Sequence, residues 1–444
     1  MARPKRAFRS ALLFIFRRIV GIYFRDVEIA GEVPSPSTGG RLFAANHVNA
    51  LVDPILVLTQ APCEISPIAK STLWKIPGLK WLLEAADAVP IVRRRDVPGK
   101  SAEDNEAVFD RVAKHLSTGG NILIFPEGTS HNEPHLIALR SGAGRMLERA
   151  KSSSDDLTFQ AVALEFDERD VFRSRVLVLF GPARRVKEFP TADTITEALR
   201  SDLSELLVEG STWEERILVV RVAEMFANES RERSLESINV FGRRIEEARR
   251  VLVKSDPETV RAIEERLRAY FDKVTAEEAT DEQIARIAHG GSSEIEPARL
   301  ARAAAMILTL PLAVIAVVVY FLPYQLPRFV TRKIGDDPDV SSTYKLGVGL
   351  VVYPIWAAIL IAITWTHHPM PFALAATIIL LTSPFAALPW LDRWDRLSGR
   401  LSLMVPSETR RERLEALARE RSDLLKSLES ARDRADASAE ATGT

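Results

Sequence analysis

Cysteine is all but absent from this chain: Cys63 is the single thiol in 444 residues. One thiol excludes an internal disulfide and suits a reducing compartment. Net charge is equally scarce, because 59 Lys and Arg against 60 Asp and Glu leave −1. No global field therefore points to nucleic acid. The first 25 residues lack acid altogether, the first acidic residue being Asp26, while Arg3, Lys5, Arg6, Arg9, Arg17, Arg18 and Arg25 are all basic. That bias reads as an arm for an anionic membrane surface. No cleavable signal peptide is recognisable, since Arg17-Arg18 cuts the apolar stretch Ala11–Phe16 short and no small-residue cleavage site follows. The zinc pattern His-Glu-x-x-His is missing. His131 and His135 are four apart with Glu133 between them, but Pro134 spoils a helical pair, so no metal is expected. Ser141-Gly142-Ala143-Gly144 has no strand before it, lacks the dinucleotide fingerprint, and reads as a helix start. Asn228-Glu229-Ser230 fits a glycosylation sequon, a weak pattern without meaning in a cytoplasmic helix.

What is present is organised by region. Leu12, Leu13, Phe14, Phe16, Ile19, Val20, Ile22, Tyr23 and Phe24, interleaved with arginines, predict a basic helix over residues 1–25 lying in a membrane interface. A surface helix packed on the next domain has the same pattern. Residues 26–190 alternate β-rich runs with helical stretches. The strands expected are Val27–Ala30, Arg41–Ala45, Glu64–Ala69, Ala88–Val92, Asn121–Phe125, Phe159–Phe166 and Arg175–Phe180. The helices expected are Pro54–Gln60, Gly78–Ala85, Ala102–Ser117 and Ser141–Lys151. Uninterrupted apolar strands such as Ile122-Leu123-Ile124-Phe125 predict burial on both faces, hence an α/β domain with a mixed sheet sandwiched by helices. Residues 191–290 read as an all-helical insert, with Gly290-Gly291-Ser292-Ser293 as a hinge.

Membrane segments follow over 298–392. Residues 303–326, 346–366 and 371–391 are each close to the roughly 20 apolar residues a spanning helix needs. Basic residues stand at three of their four junctions: Arg299 and Arg302; Arg328, Arg332, Lys333 and Lys345; and Arg393, Arg396 and Arg400. Only His367-His368-Pro369 carries none. The positive-inside rule then puts that turn outside and makes the second and third segments a hairpin. The first segment, with Pro311 and Pro323, is left to re-enter or lie partly in the interface, and Asp336, Asp337 and Asp339 dilute the basic loop after it. Residues 400–435 form a charged helix whose thin stripe of Leu414, Leu417, Leu424 and Leu428 fits a short coiled coil or a solvated helix. Residues 436–444 read as a disordered tail.

Chemistry concentrates in two short blocks. His47 follows the strand Arg41–Ala45 directly, where a loop residue can reach a cleft and act as a general base near neutral pH. Asp53 precedes Pro54 and an apolar helix, an N-cap position, and can equally pair with His47 and fix its tautomer. The two roles are compatible, because one carboxylate accepts several bonds. Phe125-Pro126-Glu127-Gly128-Thr129 ends the most apolar strand, with Gly128 allowing close backbone approach to an anion. Arg93 after Val89-Pro90-Ile91-Val92 suits phosphate binding, while Arg94 and Arg95 read as a solvated run. Glu127 is expected to accept from an acceptor hydroxyl or to lock Arg93.

Four blocks in order resemble the phospholipid/glycerol acyltransferase superfamily, most closely its yeast-type glycerol-3-phosphate/dihydroxyacetone-phosphate acyltransferase branch. They are Asn46–Pro54; Val89–Arg93; Phe125–His131 continuing to Gly142; and Phe159–Leu164 continuing through Phe172–Val178 to Phe180-Gly181. Lys70 with Pro77-Gly78 also matches the spacing. Two departures stand out. Five residues separate His47 from Asp53 where the superfamily usually has four, as in the yeast-type branch, and Ala161 replaces a usual proline. The resemblance implies a glycerolipid acyltransferase-like α/β domain over 26–190, with His47 and Asp53 catalytic and Arg93, Glu127, Gly128 and Thr129 binding the acceptor. It implies acyl-CoA or acyl-carrier protein as donor, a glycerol-phosphate or lysophospholipid acceptor, no cofactor, no metal and no covalent acyl-enzyme. The enzyme would be integral to a bilayer, its catalytic domain on the cytoplasmic face. The rival outside enzymes is a silent lipid-binding protein that keeps the fold, and the His47, Asp53 and Glu127 set leans against it.

Overall fold

The structure is a computed structural model that describes residues 3–35, 39–76, 78–92, 106–152, 154–290, 297–334, 338–404 and 408–442. It divides into two compact units, Met1–Arg216 with Asp337–Ser342, and Ile217–Asp336 with Thr343–Thr444.

The first unit opens with α1 (Arg3–Tyr23), β1 (Asp26–Gly31), β2 (Arg41–Ala45), α2 (Val52–Gln60), β3 (Ser66–Lys70), α3 (Leu79–Ala85) and β4 (Val89–Ile91). It continues through α4 (Glu106–Ser117), β5 (Asn121–Ile124), α5 (Gly142–Lys151), β6 (Thr158–Phe166), β7 (Arg175–Arg185) and α6 (Ala192–Leu206). The strands form one seven-stranded sheet in the order β1-β7-β6-β2-β5-β3-β4. Every neighbouring pair is parallel except β6 with β7, which makes the sheet mixed. Central strands are buried on both faces, as Leu42, Phe43, Ala44 and Ala45 show. One core joins Leu42, Ile122 and Phe159 of the sheet to Leu116 of α4, Leu147 of α5 and Leu199 of α6. Helix α6, in the stretch expected to begin the helical insert, thus belongs with the sheet.

Helix α1 settles between its two expected readings. Its inner side is packed, with Leu12, Val20 and Tyr23 buried and the Arg9 and Arg17 guanidinium groups donating to the carbonyls of Ile65 (2.6 Å) and Thr59 (2.8 Å). Its outer side leaves Phe8, Phe14 and Ile15 exposed, with Arg18 over the Phe14 ring.

Parallel pairing positions the site. Arg41 pairs with Asn121 and with Thr158, so β2, β5 and β6 start level and deliver their following loops to the same end of the sheet. Crevices at the carboxyl ends of strands are where open α/β sheets bind ligands.

The second unit is helical: α7 (Trp213–Ser230, starting at the unit boundary), α8 (Leu235–Ser255), α9 (Pro257–Ala276), α10 (Asp281–Ala288), α11 (Pro297–Ile334), α12 (Pro338–His367), α13 (Met370–Met404) and α14 (Glu408–Thr442). Capping side chains separate the early ones, Ser234 accepting from Ser237 N–H and Asp256 from Thr259 N–H ahead of Pro257. Residues Ala304–Lys333, Val340–His367 and Met370–Trp394 are long and apolar enough to cross a membrane. Helix α11 runs unbroken through Pro311, Pro323 and Pro327, so it does not fold back as a re-entrant loop. It lies antiparallel to α13, for Trp390 Nε1 donates to the Met306 carbonyl and Tyr320 Oη to the Leu380 carbonyl. Helix α14 is neither a coiled coil nor solvated all round. Leu414, Leu417 and Leu424 pack with Met225, Tyr270 and Ile284, while Ala431 and Ala435 pack on Leu252 and carry the helix past Asp436 to Thr442. Of the expected hinge, Gly290 is described and Gly291–Ser293 lie outside the described residues, as do Asp336 and Asp337.

Candidate active site

Strand β2 is entirely buried and ends at Ala45, so the chain must turn as it leaves the sheet. Asn46 makes the exit rigid. Its side-chain amide donates to the Leu164 carbonyl (3.1 Å) and its Oδ1 accepts the Leu164 N–H (2.7 Å), extending the β2–β6 ladder by one side chain. The loop then closes on the start of α2. Ala50 takes a positive φ of 31° there, an uncommon backbone state for a residue with a Cβ.

That closure brings His47 to Asp53. His47 Nδ1 lies 2.9 Å from Asp53 Oδ2, which also accepts the N–H groups of Val48 (2.9 Å) and Asn49 (2.7 Å). The carboxylate is fully buried and its Oδ1 accepts nothing among the described residues, so all its bonding falls on one oxygen. Asp53 therefore caps the loop and orients the imidazole together. A carboxylate on Nδ1 keeps that nitrogen protonated and leaves the lone pair on Nε2. The His47 ring stacks on Phe125, centroids 4.1 Å apart and planes at 23°. Its side chain is 13% exposed, so the ring is not wholly enclosed.

The turn after β5 reaches back to the same loop. Gly128 N–H closes onto the Phe125 carbonyl (3.0 Å), and Gly128 has φ of 77°, the left-handed region that favours glycine. A Cβ there would come within 3.3 Å of Arg140 Cγ, so the Arg140 side chain lies across this turn. Glu127 is buried, and Oε1 accepts the His47 N–H at 2.6 Å. Its Oε2 is bonded by His131 Nε2 and by the Ile137 N–H (3.3 Å). Among the described residues, the oxygens of Glu127 are thus bonded by this chain's own backbone and by a histidine. The Thr129 hydroxyl donates to the Ser130 carbonyl (3.1 Å). Arg93, with Arg94, Arg95 and Pro77, lies outside the described residues.

Sequence reading missed the residues that tie these loops together. Arg169, between β6 and β7, donates from Nη1 to the carbonyls of Val48 and His131, both at 3.3 Å. Asn49 Nδ2 donates to the Arg169 carbonyl (2.9 Å). The Arg169 guanidinium stands 5.1 Å from the Trp213 ring, whose Nε1 donates to the Asn132 carbonyl (2.8 Å). Asn49 and His131 at least fall inside blocks already singled out, whereas a lone Arg169 in a polar loop carries no signal. Among the described residues no group of three or more His, Cys, Asp or Glu forms a metal site.

A family model described as Acyltransferase matches residues 26–165, the segment that contains β1 to β6 and the whole His47–Glu127 constellation. Residues 26–165 are an acyltransferase-family domain. Relatives agree with that family. The domain is 31% identical over 141 residues to the lyso-ornithine lipid O-acyltransferase of Pseudomonas aeruginosa, covering 32% of this chain and 48% of that protein. It is 35% identical over 80 residues to glycerol-3-phosphate O-acyltransferase 2 of Saccharomyces cerevisiae, 18% of this chain and 11% of that one. Glycerol-3-phosphate O-acyltransferase 1 of the same yeast is 33% identical over 107 residues, 23% of this chain and 14% of that one. The chain thus spans about half the length of the bacterial relative and a smaller part of the yeast ones. Among solved structures, the 1-acyl-sn-glycerophosphate acyltransferase of Thermotoga maritima is 16% identical with a TM-score of 0.35, over 45% of this chain and 80% of that one.

Proposed function

We propose that this protein is a membrane-bound O-acyltransferase of glycerolipid synthesis, moving a fatty acyl group from a thioester, acyl-CoA or acyl-carrier protein, to a hydroxyl of glycerol 3-phosphate or dihydroxyacetone phosphate. The observation that carries this reading is the 2.9 Å bond between His47 Nδ1 and the buried carboxylate of Asp53, with the His47 side chain partly exposed. His47 Nε2 takes the acceptor's hydroxyl proton as its oxygen attacks the thioester carbonyl. The C–O bond forms, the C–S bond breaks, and the proton passes from the imidazolium to the departing thiolate. Asp53 stabilises the imidazolium throughout. Arg140 beside the Gly128 turn, together with Arg93, supplies guanidinium groups suited to an acceptor phosphate. Three apolar helices tether the enzyme to the bilayer that receives its product, with the catalytic unit drawing its thioester from the cytoplasm.

A second reading, acylation of a lysolipid such as lysophosphatidate, is favoured by the bacterial relative, whose own acceptor is a lyso-ornithine lipid. Purified full-length protein offered labelled acyl-CoA or acyl-carrier protein and a panel of acceptors, with products read by mass spectrometry, separates the two. Monoacylated glycerol phosphate is the expected product, and His47→Ala is expected to lower the rate on the order of a thousandfold. Product from lysolipids alone would replace the acceptor. Absence of product with every acceptor and donor would leave a lipid-binding protein.

A further inference from the structure

We propose that His131 is a positioning residue for His47, acting through Glu127; this rests on the acyltransferase reading of the site. The main chain of His47 is held at both polar groups by one turn. Its N–H donates to Glu127 Oε1 (2.6 Å), and its carbonyl accepts the N–H of His131 (3.2 Å). The other Glu127 oxygen is bonded by His131 Nε2 and by the Ile137 N–H (3.3 Å). His131 Nδ1 accepts the N–H of Glu133 at 3.1 Å. A nitrogen that accepts cannot carry a proton, so the ring is neutral with its single proton on Nε2, aimed at Glu127. The backbone of Glu133 thereby selects the tautomer, and the tautomer makes His131 an obligatory donor to a carboxylate whose side chain has no solvent exposure.

The energetic logic follows from that burial. Water cannot replace a lost donor to a buried carboxylate, so such a carboxylate reorients toward whatever donors remain. Without His131, Oε2 keeps, among the described residues, only the 3.3 Å bond to Ile137, and the group is free to swing away from the His47 N–H. The main chain of His47 would then lose one of its two anchors. His131 bonds neither the His47 ring nor Asp53, so its influence runs through the loop's position and not through the proton transfer itself.

Two variants separate this role from substrate contact. His131→Phe keeps a ring and removes both nitrogens, whereas His131→Gln places an amide N–H near the position of Nε2. In the full-length protein, assayed with whichever thioester and acceptor the wild type turns over, His131→Phe is expected to lower kcat on the order of tenfold or more. The KM of both substrates should stay within about twofold, and His131→Gln should recover most of the loss. Hydrogen–deuterium exchange of peptides spanning residues 44–53 gives a readout independent of turnover: faster in His131→Phe, restored in His131→Gln. A raised acceptor KM with kcat intact, unchanged exchange in His131→Phe, or failure of glutamine to rescue overturns the proposal. If the wild type transfers no acyl group, or His47→Ala keeps its rate, the enzymatic reading falls, and the exchange measurement alone decides His131.

Discussion

Asp53 carries two loads that substitution can separate. Its Oδ2 accepts the N–H groups of Val48 and Asn49 as well as His47 Nδ1. Asp53→Ala strands two buried backbone donors and should cost about 3 kcal/mol of stability, read as a lowered thermal midpoint. Asp53→Asn retains an oxygen for the loop N–H groups while presenting either an uncharged acceptor or a wrongly protonated partner to the imidazole. Most of the stability should therefore survive while kcat falls on the order of a hundredfold or more. Equal losses of stability in the two variants would show that capping dominates. The His47–Asp53 bond was legible because both residues sit in one short segment whose turn must close on a helix start. The bonds of Glu127 were not. Its partner His47 is 80 residues away in sequence, and only the level register of β2 and β5 brings the two loops together. A carboxylate in a polar turn reads as a ligand-binding group, and its bonds to distant parts of the chain leave no local signal.

Elements follow the same division between local and distant causes. Apolar runs fixed the positions of β2, β5 and β6, since an uninterrupted run bounded by turn residues has little choice in a doubly covered sheet. Strand β7 is longer than its sequence suggests. Gly181-Pro182 reads as a stop, yet pairing resumes as Gln160 with Ala183 and Phe159 with Arg184, beyond an irregularity between Gln160 and Val162. Proline is tolerated there because a bulged ladder does not need its N–H. Helix α14 was the least legible element, since its partners precede it by more than a hundred residues. Arg421 explains its docking. The guanidinium is fully buried and bonds Asp281 (2.9 Å), Glu229 (2.7 Å) and the Met225 carbonyl (2.8 Å). Asp281 also accepts from Tyr270 Oη (2.9 Å) and Asn228 Nδ2 (3.0 Å). Burial, reinforced by Asp281, pushes the Tyr270 hydroxyl well above its ordinary pKa, so it stays a donor throughout the working range. Arg421→Met leaves the Asp281 carboxylate buried without its cation and should destabilise the bundle by about 3 kcal/mol. Thermal melts in detergent and proteolysis of α14 would both report the loss. Adding Asp281→Asn should return part of the stability, because it removes the uncompensated charge. A double variant no better than Arg421→Met alone would assign the effect to packing.

For the molecule as a whole, membrane crossing becomes a question of parity. Helix α10 precedes the three apolar helices and α14 follows them, yet Ile284 of the first shares a core with Leu414 and Leu417 of the second. Members of one charged, water-facing bundle stand on one side of a bilayer. The number of complete crossings between them must then be even, although three helices are long and apolar enough to cross. Charge placement selects α12 and α13, because only the His367-His368-Pro369 turn between them is free of Lys and Arg. Packing bears on the choice at two places. Met306 meets Trp390 and Tyr320 meets Leu380, so α11 and α13 run antiparallel with the start of one beside the end of the other. Ser342 Oγ, near the start of α12, donates to the Arg169 carbonyl between β6 and β7 (2.6 Å), and among the described residues no segment apolar enough to cross lies between β7 and α10, so the start of α12 stands on the side of the bundle. With Cys63 replaced by alanine, single cysteines at Lys254, Lys345, His367 and Ser438 can be labelled by a membrane-impermeant maleimide in oriented vesicles. Positions 254, 345 and 438 should label from one side, and position 367 from the other. Labelling of 345 with 367, from the side opposite 254, would instead make α11 and α13 the crossing pair and would contradict the bond between Ser342 and Arg169. Labelling of 254 and 438 from opposite sides would require three crossings and would contradict the packing of α14 on α10.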